Sequence, residues 1–105
     1  MKTSLESVQL IFPEACLNTR GKIVLGGGYV DRLLDGVPLS FDRRRYGQGG
    51  LNPVTYTWAH AFVAGEWVDL GDPWPCLNPP VKELRVALAD RIARGPSRAE
   101  KEFPN

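Results

Sequence analysis

The chain has 105 residues and is 43% hydrophobic, with thirteen Lys and Arg against twelve Asp and Glu for a formal net charge of +1. A chain of this length buries somewhat more than ~60% of its unfolded surface on folding, so one domain needs neither a metal nor a disulfide framework. The balanced charge excludes a generally basic nucleic-acid coat and an acidic disordered tail, while eleven Gly and nine Pro require short elements and many turns.

The first residues, Met1-Lys2-Thr3-Ser4-Leu5-Glu6, lack the apolar run of a secretory signal. No unbroken apolar stretch is longer than the four residues of 61–64, against the ~20 that span a membrane. The expectation is a soluble, cytoplasmic protein that does not enter a membrane. Cys16 and Cys76 are too far apart for a CxxC pair, and the chain has one histidine, so neither a metal nor another cofactor is expected.

Residues 7–12 (Ser-Val-Gln-Leu-Ile-Phe) alternate and then run apolar before Pro13, which predicts a strand. One helical turn is expected around residues 14–17, stopped by Asn18 and Gly21. Lys22 to Leu25 reads as a strand running into three glycines, 26–28, which suit a turn or bulge and do not match a dinucleotide fingerprint. Residues 29–34 are read as strand, with a short helix as the competing choice. Asp35-Gly36 is then a turn signal and residues 37–41 return as a strand. Residues 42–53 hold three arginines, three glycines and a proline and are expected to form a long loop.

The strongest signal is residues 54–70. Val54 to Val63 is rich in β-branched and aromatic residues, Ala64-Gly65 makes a turn, and residues 66–70 return. A two-residue turn sets Val63 opposite Glu66, Phe62 opposite Trp67, Ala61 opposite Val68 and His60 opposite Asp69. One face then carries Tyr56, Trp58, His60, Phe62, Trp67 and Asp69; the other carries Thr57, Ala59, Ala61, Val63, Val68 and Leu70. A three-residue bulged turn shifts this register by one. Residues 72–80 form a proline-rich extended connector. Asn78 is a suitable N-cap with Pro79 at the first helical position. Val81, Leu84, Ala87, Leu88 and Ile92 make one apolar stripe on a helix over about 79–94, which Gly95-Pro96 ends.

The fold expected is therefore α+β: a single domain over 1–96 in which an antiparallel sheet of four to five short strands packs with one C-terminal helix. Residues 97–105 follow as a flexible tail.

Three groups of residues carry chemistry. His60 and Asp69, facing each other across the hairpin, form the base-plus-orienter half of a nucleophilic triad, and Cys16 is available as the nucleophile. Arg43, Arg44, Arg45 and Tyr46, followed by a Gly-rich run, suit contact with an anion. Tyr46 can also stack on a base, so local nucleic-acid contact is an alternative here, although a solvated loop is the leading expectation and nucleic acid is not an expected partner. Tyr56, Trp58, Phe62 and Trp67 line one sheet face, with Trp74 on the connector as a lid. One helix covers one face, so the second aromatic face needs a ligand, a lid or a second copy of the chain.

The run His60-Ala61-Phe62-Val63-Ala64-Gly65-Glu66-Trp67-Val68-Asp69-Leu70-Gly71-Asp72-Pro73 resembles the second half of a transglutaminase-like cysteine-enzyme domain. In that family a His-bearing strand returns as a Gly-x-Trp strand ending in Asp-Pro, with the nucleophilic Cys earlier in the chain. The resemblance implies Cys16 as nucleophile, His60 as base and Asp72 as orienting carboxylate, where hairpin pairing prefers Asp69. Three functions follow: a binding module whose aromatic sheet face takes a small-molecule ligand or a second copy, a thiol hydrolase or acyltransferase, or contact with an anion or nucleic acid through the Arg43–Tyr46 loop.

Overall fold

The computed structural model describes residues 3–47 and 53–94. The tail expected over 97–105 lies outside them. The α+β class and the antiparallel pairing stand, but the strands are more numerous and divide between two sheets. β1 (Cys16–Leu17), β2 (Ile23–Leu25) and β3 (Gly28–Val30) form one. β4 (Arg32–Leu34), β5 (Val37–Tyr46), β6 (Val54–Val63) and β7 (Glu66–Asp69) form the other, in that order. A short α1 (Leu5–Gln9) precedes them, and α2 (Val81–Ala93) follows.

The N-terminal segment differs from the sequence expectation twice. Residues 7–12 are not a strand: Ser4 caps α1 in a reciprocal box with Ser7. Val8 and Phe12, four positions apart and so on one face of a strand, are also i and i+4 on a helix. The helical reading wins, with Phe12 N–H donating to the Val8 carbonyl at 2.7 Å. Leu10, the residue between them, is left 86% exposed. Nor do residues 14–17 make a helical turn. Cys16 and Leu17 pair with Val24 and Ile23, and Asn18 Oδ1 closes the connection by accepting from the backbone N–H groups of Arg20 and Lys22, both at 2.9 Å. That local side-chain turn competes with helix at Asn.

Gly26-Gly27, with φ of +57° and +82°, makes the two-residue turn between β2 and β3 that right-handed strand twist favours. At Asp31 the chain passes from one sheet to the other. Its N–H donates to the Leu39 carbonyl and its Oδ2 accepts from Phe41 N–H, each at 2.8 Å. Residues 29–34 are thus two strands, not one. The expected long loop is also shorter: β5 runs on to Tyr46, with Arg43, Arg44, Arg45 and Tyr46 opposite Thr57, Tyr56, Thr55 and Val54. The β-branched and aromatic start of β6 provides the partner that those arginines lack on their own.

The β6–β7 hairpin has the two-residue register, with Ala64 and Gly65 at φ of 53° and 80°. Its small face, Ala59 and Ala61, is fully buried and packs with Leu34, Leu39 and Leu70 against Leu84 and Leu88 of α2. The helix begins two residues later than expected. Pro80, not Asn78, holds the N-cap position and offers no side-chain cap. Ile92 lies off the packed stripe, 52% exposed. A second core gathers Val8, Ala15, Ile23, Leu25, Val30 and Phe62, with Trp67 packed against it. The three-stranded sheet and α1 therefore cover one end of the aromatic face. No helix among the described residues is long and apolar enough to cross a membrane.

Candidate functional site

Strand alternation places Ser40, Asp42, Arg44 and Tyr46 of β5 on the same face as their partners His60, Trp58, Tyr56 and Val54 of β6. Farther along β6 and onto β7 that face continues through Phe62, Trp67 and Asp69. The predicted face assignment is observed, yet its two halves have different surroundings. Phe62 is buried, edge-on to Phe12 at 5.5 Å and tilted against Trp67 at 5.2 Å. Trp67 Nε1 donates to the Leu25 carbonyl at 2.9 Å. These two rings are spent on joining the sheets.

The other half is only partly covered, with Tyr56 and Trp58 half-buried. Tyr46 is 50% exposed and meets Tyr56 edge-on at 5.6 Å; Tyr56 in turn lies 6.5 Å from Trp58. The Arg44 guanidinium carbon stands 5.9 Å from the centre of the Trp58 ring, within cation–π range. Arg44 also approaches Asp42 at 3.8 Å, a pair too exposed to contribute much to stability. The result is a row of three rings along a β-ribbon, with a guanidinium among them.

Trp74 is not a lid over this row. It pairs with Thr57 through reciprocal backbone hydrogen bonds of 2.9 Å and packs on the helix side of the sheet. Its Nε1 donates to Glu83 Oε1 at 2.9 Å. There it borders a shallow groove of about 610 Å³ with Leu70, Val86 and Ala87. The connector is held by Thr57, whose hydroxyl donates to the Cys76 carbonyl at 2.7 Å.

The three arginines diverge. Arg43 turns to the helix side, where Nε donates to the Leu77 carbonyl at 2.8 Å and its guanidinium reaches Asn78. Arg44 joins the aromatic face. Arg45, opposite Thr55, projects on Arg43's side and is exposed. β4 covers β5 only at Val37, Pro38 and Leu39, with Asp31 extending the cover to Phe41. Beyond that point the outer edge of β5 is unpaired by β4, and it carries the three arginines.

Of the proposed triad, the structure brings two members near each other. His60 Nε2 lies 4.0 Å from Asp69 Oδ1, with the imidazole 39% exposed; this is longer than a hydrogen bond. Asp72 is exposed beyond the end of β7. Cys16 is exposed on β1 of the other sheet, and no hydrogen bond or ion pair among the described residues joins it to His60, Asp69 or Asp72.

Sequence reasoning missed the place of Arg44, Asp42 and Ser40 beside the aromatic residues. The signal was the alternation Val37, Leu39, Phe41 continuing into the arginines, hidden because three like residues show no period. Comparison with known protein families, curated proteins and solved structures gives no match to this chain.

Proposed function

We propose that this chain is a small binding module whose working surface is the open half of the four-stranded sheet, formed by Tyr46, Tyr56 and Trp58 with Arg44 and His60. The observation that carries this reading is the contrast along one face. Phe62 and Trp67 are packed under a second sheet, whereas Tyr46, Tyr56 and Trp58 form a continuous aromatic row under no element of the described chain. Such a surface costs solubility unless a ligand uses it.

A ligand is favoured over a second copy by charge. Antiparallel pairing of two β5 edges about Arg44 sets Arg43 of each opposite Arg45 of the other, and like charges directly opposite destabilise a strand pair.

The test is a backbone amide NMR titration with three separate probes: adenosine monophosphate, a glutamate-rich peptide, and the protein itself by dilution. The expected result is a set of shifts centred on Arg44, Tyr56 and Trp58 for at least one anionic probe. Shifts centred elsewhere, or none with any probe at millimolar concentration, overturn the reading.

A further inference from the structure

Resting on that reading of the sheet face, we propose that its ligand is single-stranded nucleic acid, with bases stacked on Tyr46, Tyr56 and Trp58 and a phosphate drawn to Arg44. The row offers three rings in sequence along a ribbon, which matches a polymer of flat units better than a single small molecule. Every base has a π-face, so stacking of this kind tolerates sequence. A duplex hides those faces within its own stack.

Charge gives the strand a direction to run. The distal arm holds Arg43, Arg44 and Arg45 against Asp42 alone. Arg43, engaged by the Leu77 carbonyl and Asn78, and Arg45 lie on the opposite face and add only to the local field. Arg44 is therefore the residue that meets phosphate on the aromatic side, in exchange for its exposed contact with Asp42. Toward the core the same face bears Asp69, 4.0 Å from His60, and a polyanion is repelled there. The backbone therefore tracks the arm of the β5–β6 ribbon and stops short of β7. A net charge of +1 for the chain is compatible with this, because the attraction is local and only one phosphate is engaged.

The test is fluorescence anisotropy at low salt with four labelled probes: a twelve-residue oligothymidylate, the matching oligouridylate, a twelve-base-pair DNA duplex and heparin. Trp emission is followed alongside. Expected are binding of one or both single strands with Trp quenching, weaker binding of duplex and heparin, and a log–log salt slope of about −0.7 for one phosphate contact. Preference between the two single strands separates DNA from RNA as the source. Trp58→Ala should weaken binding by roughly 5- to 100-fold and Tyr56→Phe, which keeps the ring, by less than about twofold. Arg44→Glu should abolish the measurable affinity, and thermal unfolding of each variant establishes that it is folded.

Heparin or duplex binding as tightly as the single strands, or affinity unchanged in folded Trp58→Ala, overturns the proposal. So does failure of both single strands. If the glutamate-rich peptide still shifts Arg44, Tyr56 and Trp58 in that event, the binding-module reading stands without nucleic acid; if no probe does, both fall.

Discussion

The indole of Trp67 fills the space that a side chain at Gly28 would need: a methyl group on Gly28 would lie 2.6 Å from Trp67 Nε1. Those two residues meet where the three-stranded sheet lies over the aromatic face of the four-stranded one. The approach lets the indole N–H reach the Leu25 carbonyl, so the absence of a Cβ and the presence of the hydrogen bond are one feature.

Gly28→Ala should therefore destabilise the fold by about 1–3 kcal/mol, the usual cost of overpacking. Trp67→Phe keeps an aromatic ring but leaves the Leu25 carbonyl without its donor, for a loss of about 1 kcal/mol or more. Urea unfolding curves measure both. A Gly28→Ala variant as stable as the parent would mean that the two sheets do not pack through this contact.

Ala64 makes the opposite prediction. It sits at φ 53° in a two-residue hairpin turn, a left-handed conformation that is unfavourable for an L-residue with a Cβ. Asn-Gly is the preferred pair for this turn. Ala64→Asn should stabilise the protein by about 0.5–1 kcal/mol, read as a higher urea midpoint with unchanged slope. A lower midpoint would show that the methyl group of Ala64 contributes more than the backbone strain costs.

What the sequence reveals depends on how many signals agree at one place. Residues 54–69 combine β-rich composition, alternation and a Gly-containing turn, so the strands were legible. Their faces and register depended on a choice between a two-residue turn and a three-residue bulge that the structure decides. At Val8 and Phe12 a spacing of four satisfied both helix and strand, and the Ser4–Ser7 box that decides between them uses Ser where Glu or Gln is the usual partner. At Arg43 to Arg45 identical residues erased the period. The aromatic site was legible as a face, yet its division into a packed and an open half was not. That division depends on the second sheet, whose strands of two and three residues carry almost no periodicity. Cys16, His60 and Asp69 had the right order along the chain; order alone does not place Cys16, on one sheet, against His60, on the other.

Thr57 is a fully buried polar residue. Its hydroxyl donates to the Cys76 carbonyl, with the Leu77 carbonyl 3.2 Å away, and its backbone pairs with Trp74. Thr57→Val preserves shape and removes the donor. The expected loss is about 1–3 kcal/mol for the carbonyl left unsatisfied. Because that carbonyl belongs to Cys76, local release of the connector should also speed thiol labelling of Cys76 relative to Cys16 in the same molecule. Equal labelling ratios in parent and variant would show that Trp74 and Arg43 hold the connector without this hydroxyl.

Arg85 on α2 donates from Nε and Nη2 to Asp35 Oδ2 and Oδ1 at 2.8 and 3.1 Å, tying the helix to the β4–β5 turn fifty residues earlier. The hydrogen bond from Arg85 holds the Asp35 carboxyl below its usual pKa, and the same bond raises that of Arg85. An unfolded Asp titrates near 3.9. With the folded value depressed, the pair contributes stability that is present above about pH 4 and disappears as pH falls through the folded value. Asp35→Asn isolates this contribution, because Asn tolerates the φ of 51° at this position while losing the charge. The stability difference between parent and variant should be present at pH 6 and shrink as pH falls below about 4. It should also shrink in 1 M salt, as both side chains are more than half exposed. A difference independent of pH between 6 and 2 would assign the effect of Asp35 to the turn backbone and not to its pair with Arg85.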